Sequence, residues 1–234
     1  MKDKMKTIGL IGGTSWVSTV DYYRLMNQLM HEKLGHSNAA RIVLYSVNFQ
    51  DFKNLLDIND WKTIAALFTD IARKLKDAGA DCLVIGANTP HLIAEDVQEA
   101  VSLPLIHIAD ATGKEILNSN IKKVALLGTK FVMDNSFFKD KLALYGIETI
   151  LPIAMERNFI HESIFSELTK AIFTDETKTK YLEIIDRLIE EGAEGVIYAC
   201  TEIPILLKDE KVNVKTFDTI YIHAKAAVDF ATED

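Results

Sequence analysis

Two stretches of the chain end an apolar run in side chains that can do chemistry. Gly195-Val196-Ile197-Tyr198-Ala199 runs into Cys200-Thr201-Glu202, a thiol, a hydroxyl and a carboxylate in succession. Cys82-Leu83-Val84-Ile85 leads to Ala87-Asn88-Thr89-Pro90-His91. The lead-ins match: Gly79-Ala80-Asp81 precedes the earlier run and Gly192-Ala193-Glu194 the later one. At the offset that superposes them, Cys200 falls on Ala87, so one end carries a thiol and the other a methyl. A thiol within reach of a C–H can move a proton if nearby donors hold the adjacent carboxylate and stabilise the carbanion. Asn88, Thr89, Thr129 and Thr201 are such donors.

A buried core residue is the commoner fate of a free cysteine. The strand-end position and the repeated lead-in favour a functional thiol at Cys200, and a helix starting at Glu202 to Pro204 is expected to favour its thiolate through the helix dipole. Nucleophilic catalysis calls for a histidine beside the thiol, and none is signalled locally. No CxxC, HExxH or clustered ligand set occurs, so no metal site is expected. His107 lies among apolar neighbours and reads as a core residue; His223 reads first as a packing residue, with reach to the site as the alternative.

These side chains need a scaffold that brings strand ends together. Ile8 to Ile11 runs into the turn Gly12-Gly13-Thr14-Ser15 and then an amphipathic helix, and Val124 to Leu127 into Gly128-Thr129-Lys130 in the same way. The first turn offers backbone N–H groups to a carboxylate or phosphate, and its glycines are equally explained by tight-turn geometry. Alternating strands and helices specify an α/β fold with parallel sheets, whose ligands bind beyond the carboxyl ends of the strands. The echoes between halves imply two similar domains: residues 1–115 with 211–234, and residues 116–210.

Composition sets the bounds. With 48% hydrophobic residues the chain can bury a full core. A formal charge of −8 disfavours nucleic acid and anionic membranes as partners. No apolar stretch is long enough for a membrane span, and Met1-Lys2-Asp3-Lys4 is not followed by a signal-peptide core, so the cytoplasm is expected. Cys82 and Cys200 in or at the end of core strands argue against a disulfide.

Taken in order, Gly12-Gly13-Thr14-Ser15-Trp16, Asn88-Thr89-Pro90-His91, Leu127-Gly128-Thr129-Lys130, the Gly195 to Glu202 stretch and Phe217-Asp218-Thr219 resemble the aspartate/glutamate racemase family, closest to its broad-specificity amino-acid racemase branch. The resemblance covers nearly the whole chain. It implies two pseudo-symmetric α/β domains with the active site in the interdomain cleft, no cofactor, a homodimer, and two cysteines working on opposite faces of an amino-acid α-carbon. Cys200 matches the second catalytic cysteine. Asn88, Thr89, Thr129 and Thr201 match positions that grip the substrate carboxylate, and Gly12 and Gly13 match the first-strand loop. Thr14, Lys130 and Glu202 are further candidate substrate-binding residues.

Ala87 departs from the pattern: it occupies the place of the first catalytic cysteine, and a methyl carries no proton. Cys82, at the buried start of the same strand, does not replace it. Three readings stay open. The chain is a substituted racemase, an enzyme working from one face with Cys200 alone or with water or His91 as a second acid, or a non-catalytic binder of small carboxylates. The one-thiol enzyme includes a decarboxylase of the same superfamily. A dicarboxylate substrate would need a second cation, for which Arg24, Lys130, Arg157 and Lys170 are candidates.

Overall fold

The computed structural model describes residues 5–233; the Met1-Lys2-Asp3-Lys4 start lies outside the described residues. The chain divides into two compact units, Met1–His107 with His223–Asp234, and Ile108–Ile222. The boundaries therefore fall earlier in the first connection and later in the second than the 115/116 and 210/211 divisions expected. The physical reason for the second shift is strand pairing. The last strand, placed with the first domain by its position in the chain, hydrogen-bonds to the Gly195–Ala199 strand of the second unit.

The first unit begins with β1 (Ile8–Gly12), followed by α1 (Trp16–Leu34), β2 (Ile42–Ser46), α2 (Phe49–Asp57), α3 (Trp61–Asp77), β3 (Cys82–Ile85), a 3₁₀ turn over Thr89–Ile93 and α4 (Ala94–Val101). Its parallel sheet has the order β2-β1-β3. Beyond β3, Leu105 adds a single parallel bridge to Leu83.

The second unit runs α5 (Ile108–Asn118), β4 (Lys123–Gly128), α6 (Lys130–Asp134), α7 (Phe137–Ala143), β5 (Glu148–Ile150), α8 (Ala154–Ser166), a 3₁₀ turn over Leu168–Lys170, α9 (Asp175–Glu190), β6 (Gly195–Ala199), α10 (Glu202–Leu206) and β7 (Lys215–Asp218). The last helix, α11 (Thr219–Thr232), starts here, and its residues from His223 onward belong to the first unit. The sheet order β5-β4-β6-β7 is again all parallel. Aligned on their central strands, β1 and β4, the two sheets correspond position by position, and the Leu105 bridge stands where β7 stands in the other unit.

The strands β1, β3, β4 and β6 are buried on both faces and read as continuous apolar runs, as the helix-covered part of a parallel sheet requires, whereas β2, β5 and β7 are partly exposed. In the second unit one core cluster joins Leu127, Val196 and Tyr198 to Ile160, Ile164, Ile184 and Leu188 from α8 and α9. On the opposite face Leu126, Ile197 and Phe217 pack with Ile108, Ile116, Phe138 and Leu142. In the first unit α1 turns Tyr22, Met26 and Met30 inward and α3 turns Ile64, Phe68 and Ile71 inward, all fully buried.

The repeated lead-in has a repeated structure. Gly79 and Gly192 adopt φ of +93° and +96° and end α3 and α9 in the same Schellman motif. Ala80 N–H donates to Leu75 O and Ala193 N–H to Leu188 O, both at 3.0 Å. Gly79 N–H bonds Lys76 O and Gly192 N–H bonds Ile189 O, both at 2.9 Å. The acidic residue that follows joins the neighbouring central strand: Asp81 accepts from Thr7 N–H at 2.6 Å and Glu194 from Lys122 N–H at 2.8 Å. The motif therefore stops a helix and sets the register of the strand whose far end carries the chemistry.

Candidate functional site

In each unit the chain leaves the central strand toward one side of the sheet and later returns to the other. The crevice at such a reversal of strand order, beyond the strand carboxyl ends, is where open α/β sheets bind ligands. In the first unit it is flanked by the ends of β1 and β3, which carry Gly12-Gly13-Thr14 and Gly86-Ala87-Asn88. In the second it is flanked by the ends of β4 and β6, which carry Gly128-Thr129-Lys130 and Cys200-Thr201-Glu202. The pairing Gly128↔Ala199 makes Thr129 and Cys200 the residues immediately beyond the last paired positions. A Cβ on Gly128 would sit 2.9 Å from Ala199 O, so glycine lets the two strand ends approach.

The end of β1 is shaped by Gly13. Its φ is +85°, its N–H donates to Thr19 Oγ1 at 2.8 Å, and a Cβ there would lie 2.1 Å from Val47 O. Turn geometry thus accounts for this glycine. The next residue, Thr14, is buried, and its Oγ1 makes no hydrogen bond. Ser15 then caps α1, accepting from Ser18 N–H at 3.5 Å.

The end of β3 is held from behind. Ser18 Oγ donates to Gly86 O at 3.1 Å. His91 Nδ1 lies 2.8 Å from Ala87 O; a carbonyl only accepts, so Nδ1 carries the proton. His91 Nε2 is then a buried lone pair with no hydrogen-bond partner. Burial, with the neighbouring His107 and His223 rings, pushes the His91 pKa well below the ordinary histidine value. A neutral ring with its one N–H committed to Ala87 O does not supply a second acid, so this structure disfavours that option for His91. Ala87 is partly exposed, Asn88 buried and Thr89 partly exposed.

His91 packs edge-on against His107 and His223, with centroids 4.8 and 5.3 Å apart. His223 Nε2–H donates to Ile106 O at 2.6 Å, and its Nδ1 accepts from Tyr22 Oη–H at 2.7 Å. The histidines read from sequence as core residues are core residues here, joined in one buried cluster that backs the Ala87 turn.

In the second unit, Cys200 is partly buried and donates its S–H to Glu202 Oε2 at 3.0 Å. Thr201 Oγ1–H donates to the same oxygen. Glu202 itself is 3% exposed, and its Oε1 is buried with no hydrogen-bond partner. Burial, reinforced by the Glu202 charge and hydrogen bond, pushes the Cys200 thiol well above its ordinary pKa. This overturns the expectation that a helix dipole would favour the thiolate. The helix that starts at Glu202 is only five residues long, and the carboxylate opposes any gain from it. At rest the group is a thiol. Cys82 is fully buried, and burial with the nearby Asp81 pushes it up to about 12.

Among the cations considered from sequence, Lys130 Nζ donates to Asn158 Oδ1 at 2.9 Å and lies 3.8 Å from Asp134. Arg157 lies 2.7 Å from Asp134 and also donates to Pro152 O at 2.8 Å. Arg24 pairs with Asp21 at 3.0 Å and Gln28 at 2.9 Å along α1, and Lys170 is exposed. None is thereby reserved for a second carboxylate. Sequence reasoning missed His161: its Nδ1 accepts from Lys130 N–H at 3.3 Å, between the Phe131 and Phe165 rings. The only signal for it was a polar residue at the helical spacing of a core-facing stretch. Among the described residues no group of three or more His, Cys, Asp or Glu side chains is arranged to hold a metal ion, and no helix is long and apolar enough to cross a membrane.

Comparison with known proteins agrees with this architecture. The broad-specificity amino-acid racemase RacX of Bacillus subtilis is 26% identical over 159 residues, 68% of each chain. The crystal structure of an Asp/Glu racemase candidate from Yersinia pestis is 41% identical, with a TM-score of 0.93 over 98% of this chain and all of that one. That of an aspartate racemase homologue from Pyrococcus horikoshii is 35% identical, with a TM-score of 0.85 at 98% and 100% coverage. The Asp/Glu/hydantoin racemase family description itself matches residues 11–227, and with two parallel sheets of the same strand order ending in these turns, the chain belongs to that family.

Proposed function

We propose that the protein is a cofactor-independent amino-acid racemase-type enzyme that exchanges the α-proton of its substrate through Cys200. The observation that carries this reading is the position of the thiol. It stands at the carboxyl end of β6, beside the Thr129 turn and in contact with a carboxylate, where a proton taken up by sulfur has somewhere to go. The amino-acid racemases among its relatives support the reaction class.

In this scheme Thr129 and Thr201 donate to the substrate carboxylate beside Cys200, and Asn88, Thr89, the Gly12-Gly13-Thr14 turn and Lys130 are further binding groups by their match to the family's motifs. Removing the α-proton places charge on that carboxylate, and fixed donors there lower the barrier most as the charge develops. The ligand is an amino acid or a small dicarboxylate. Ala87 leaves the second face without a side-chain acid or base, so exchange outpaces inversion. A second reading, a one-thiol decarboxylase, is favoured by that same asymmetry, because protonating a carbanion formed by loss of CO₂ needs a single acid.

The test follows α-proton loss by NMR in D₂O for both enantiomers of aspartate, glutamate and several neutral amino acids, with chiral chromatography of the same samples. The wild type should exchange one enantiomer, Ala87→Cys should convert exchange into racemisation, and Cys200→Ser should abolish both. Undiminished exchange in Cys200→Ser would remove the thiol from the mechanism. Absence of exchange, with turnover of a 2-substituted malonate, would select the decarboxylase.

A further inference from the structure

We infer that Glu202 is the residue that accepts the Cys200 proton, so that the working acid/base is a thiol–carboxylate pair. The inference rests on the reading of Cys200 as the α-proton exchanger and assigns the step that makes it possible.

A thiol that abstracts a proton must first lose its own. Burial holds Cys200 protonated, and the S–H points at Glu202 Oε2, 3.0 Å away. That oxygen receives two donors, from Cys200 and from Thr201, while Oε1 of the same buried carboxylate has no hydrogen-bond partner. A carboxylate kept 97% out of solvent with one oxygen unsatisfied costs stability that a structural role alone does not return. Such groups are rare in native structures, and a catalytic role is one of the few that accounts for them. Tyr181, whose ring hydroxyl is close enough to couple to both members of the pair, is already engaged, its Oη hydrogen-bonded with Ser163 Oγ at 3.0 Å. Glu202 is therefore the acceptor the geometry offers.

The proton balance closes without a co-reactant. The Cys200 S–H bond breaks as a Glu202 Oε2–H bond forms, leaving a thiolate. The thiolate takes the substrate α-proton, and the Cα–H electron pair stays on the substrate, spread into its carboxylate. Return of a proton from sulfur to carbon, then from Glu202 to sulfur, restores the starting state. Glu202 does not touch the substrate in this step; it acts through Cys200.

The experiment compares wild type, Glu202→Gln, Glu202→Asp and Cys200→Ser in two assays. One is the pH profile of iodoacetamide alkylation at Cys200, localised by peptide mass spectrometry against the buried Cys82. The other is α-proton exchange in D₂O on the substrate that the wild type exchanges. Glutamine keeps an oxygen acceptor for the S–H but removes the charge and the capacity to take a proton. Alkylation should therefore move to lower pH by about one unit, making Cys200 about tenfold more reactive at neutral pH, while exchange falls about a hundredfold. Glu202→Asp should retain the wild-type alkylation profile and partial exchange. Loss of packing alone would also expose the thiol and lower exchange, but it would do so in Glu202→Asp as well, so the wild-type alkylation profile with partial exchange in that variant is the result that a structural role does not produce. An unshifted alkylation profile, or exchange at the wild-type level, in Glu202→Gln would overturn the inference while leaving Cys200 in place. Exchange surviving in Cys200→Ser, or absent from the wild type, would overturn the underlying reading and the pair with it.

Discussion

Acidification should weaken the first unit through one histidine. Both ring nitrogens of His223 are engaged inside the fold, Nε2–H on Ile106 O at 2.6 Å and Nδ1 under the Tyr22 hydroxyl at 2.7 Å, which defines a neutral ring. Burial lowers its pKa from 6.5 to about 4. Between those values the unfolded chain binds the proton and the folded chain does not, so stability rises with pH across that window. The contribution is fully present above about pH 6.5 and is lost as the pH falls toward 4. Each unit of difference is worth about 1.4 kcal/mol, so the 2.5 units between 6.5 and about 4 correspond to about 3 kcal/mol, an appreciable share of a domain's net stability. The assay is urea unfolding from neutral pH down to about pH 4, followed by tryptophan fluorescence. Trp16 and Trp61 are the chain's two tryptophans, and both belong to the first unit, so the signal reports that unit. His223→Gln keeps a donor for Ile106 and an acceptor for Tyr22 but does not titrate. It should start lower at neutral pH, by about 1–2 kcal/mol for imperfect bonds, and lose about 3 kcal/mol less than the wild type on acidification. Parallel pH curves for the two proteins would refute the argument, because every other titrating group is common to both.

Two further outcomes follow from the backbone. Gly13→Ala should be among the most damaging single substitutions, costing at least about 2–3 kcal/mol, since a side chain there meets backbone at 2.1 Å and a φ of +85°; thermal unfolding within a few degrees of wild type would contradict this. Gly79→Ala and Gly192→Ala should each cost about 1 kcal/mol and by similar amounts, because both end a helix in the left-handed region with no contact closer than 3.7 Å; unequal denaturant midpoints, corrected for the unit each sits in, would show that the two motifs are not energetic equivalents.

Much of this was legible in the residues because the repeated Gly-Ala-acid lead-in is a complete local structure. A positive-φ glycine ending a helix and an acid capping the next strand specify geometry within a few residues, so the echo in sequence became an echo in hydrogen bonds. The continuous apolar runs likewise revealed strands buried on both faces. Strand partners were less visible. Nothing local in Lys215–Asp218 says that it lies beside β6, so chain position placed the unit boundary wrongly. The protonation state of Cys200 was also hidden, because it depends on where the Glu202 carboxylate turns, two residues on and folded back over the thiol. The shared use of Asp134 by Lys130 and Arg157 likewise depends on the approach of α8 to α6.

The first unit closes on residues far apart in the chain: Tyr22 and His223 meet across 201 positions, and His223 and Ile106 across 117. Residues 108–222 supply the second unit as one contiguous piece, whereas α1 to α4 need the segment from His223 onward to complete their own unit. Contacts separated by so many residues form slowly because loop closure precedes any gain from packing. The seating of His223 between Tyr22 and Ile106 then becomes the late event that locks the backing of the Ala87 turn. A chain shortened to end before His223 would keep every residue of the second unit and lack the segment that completes the first.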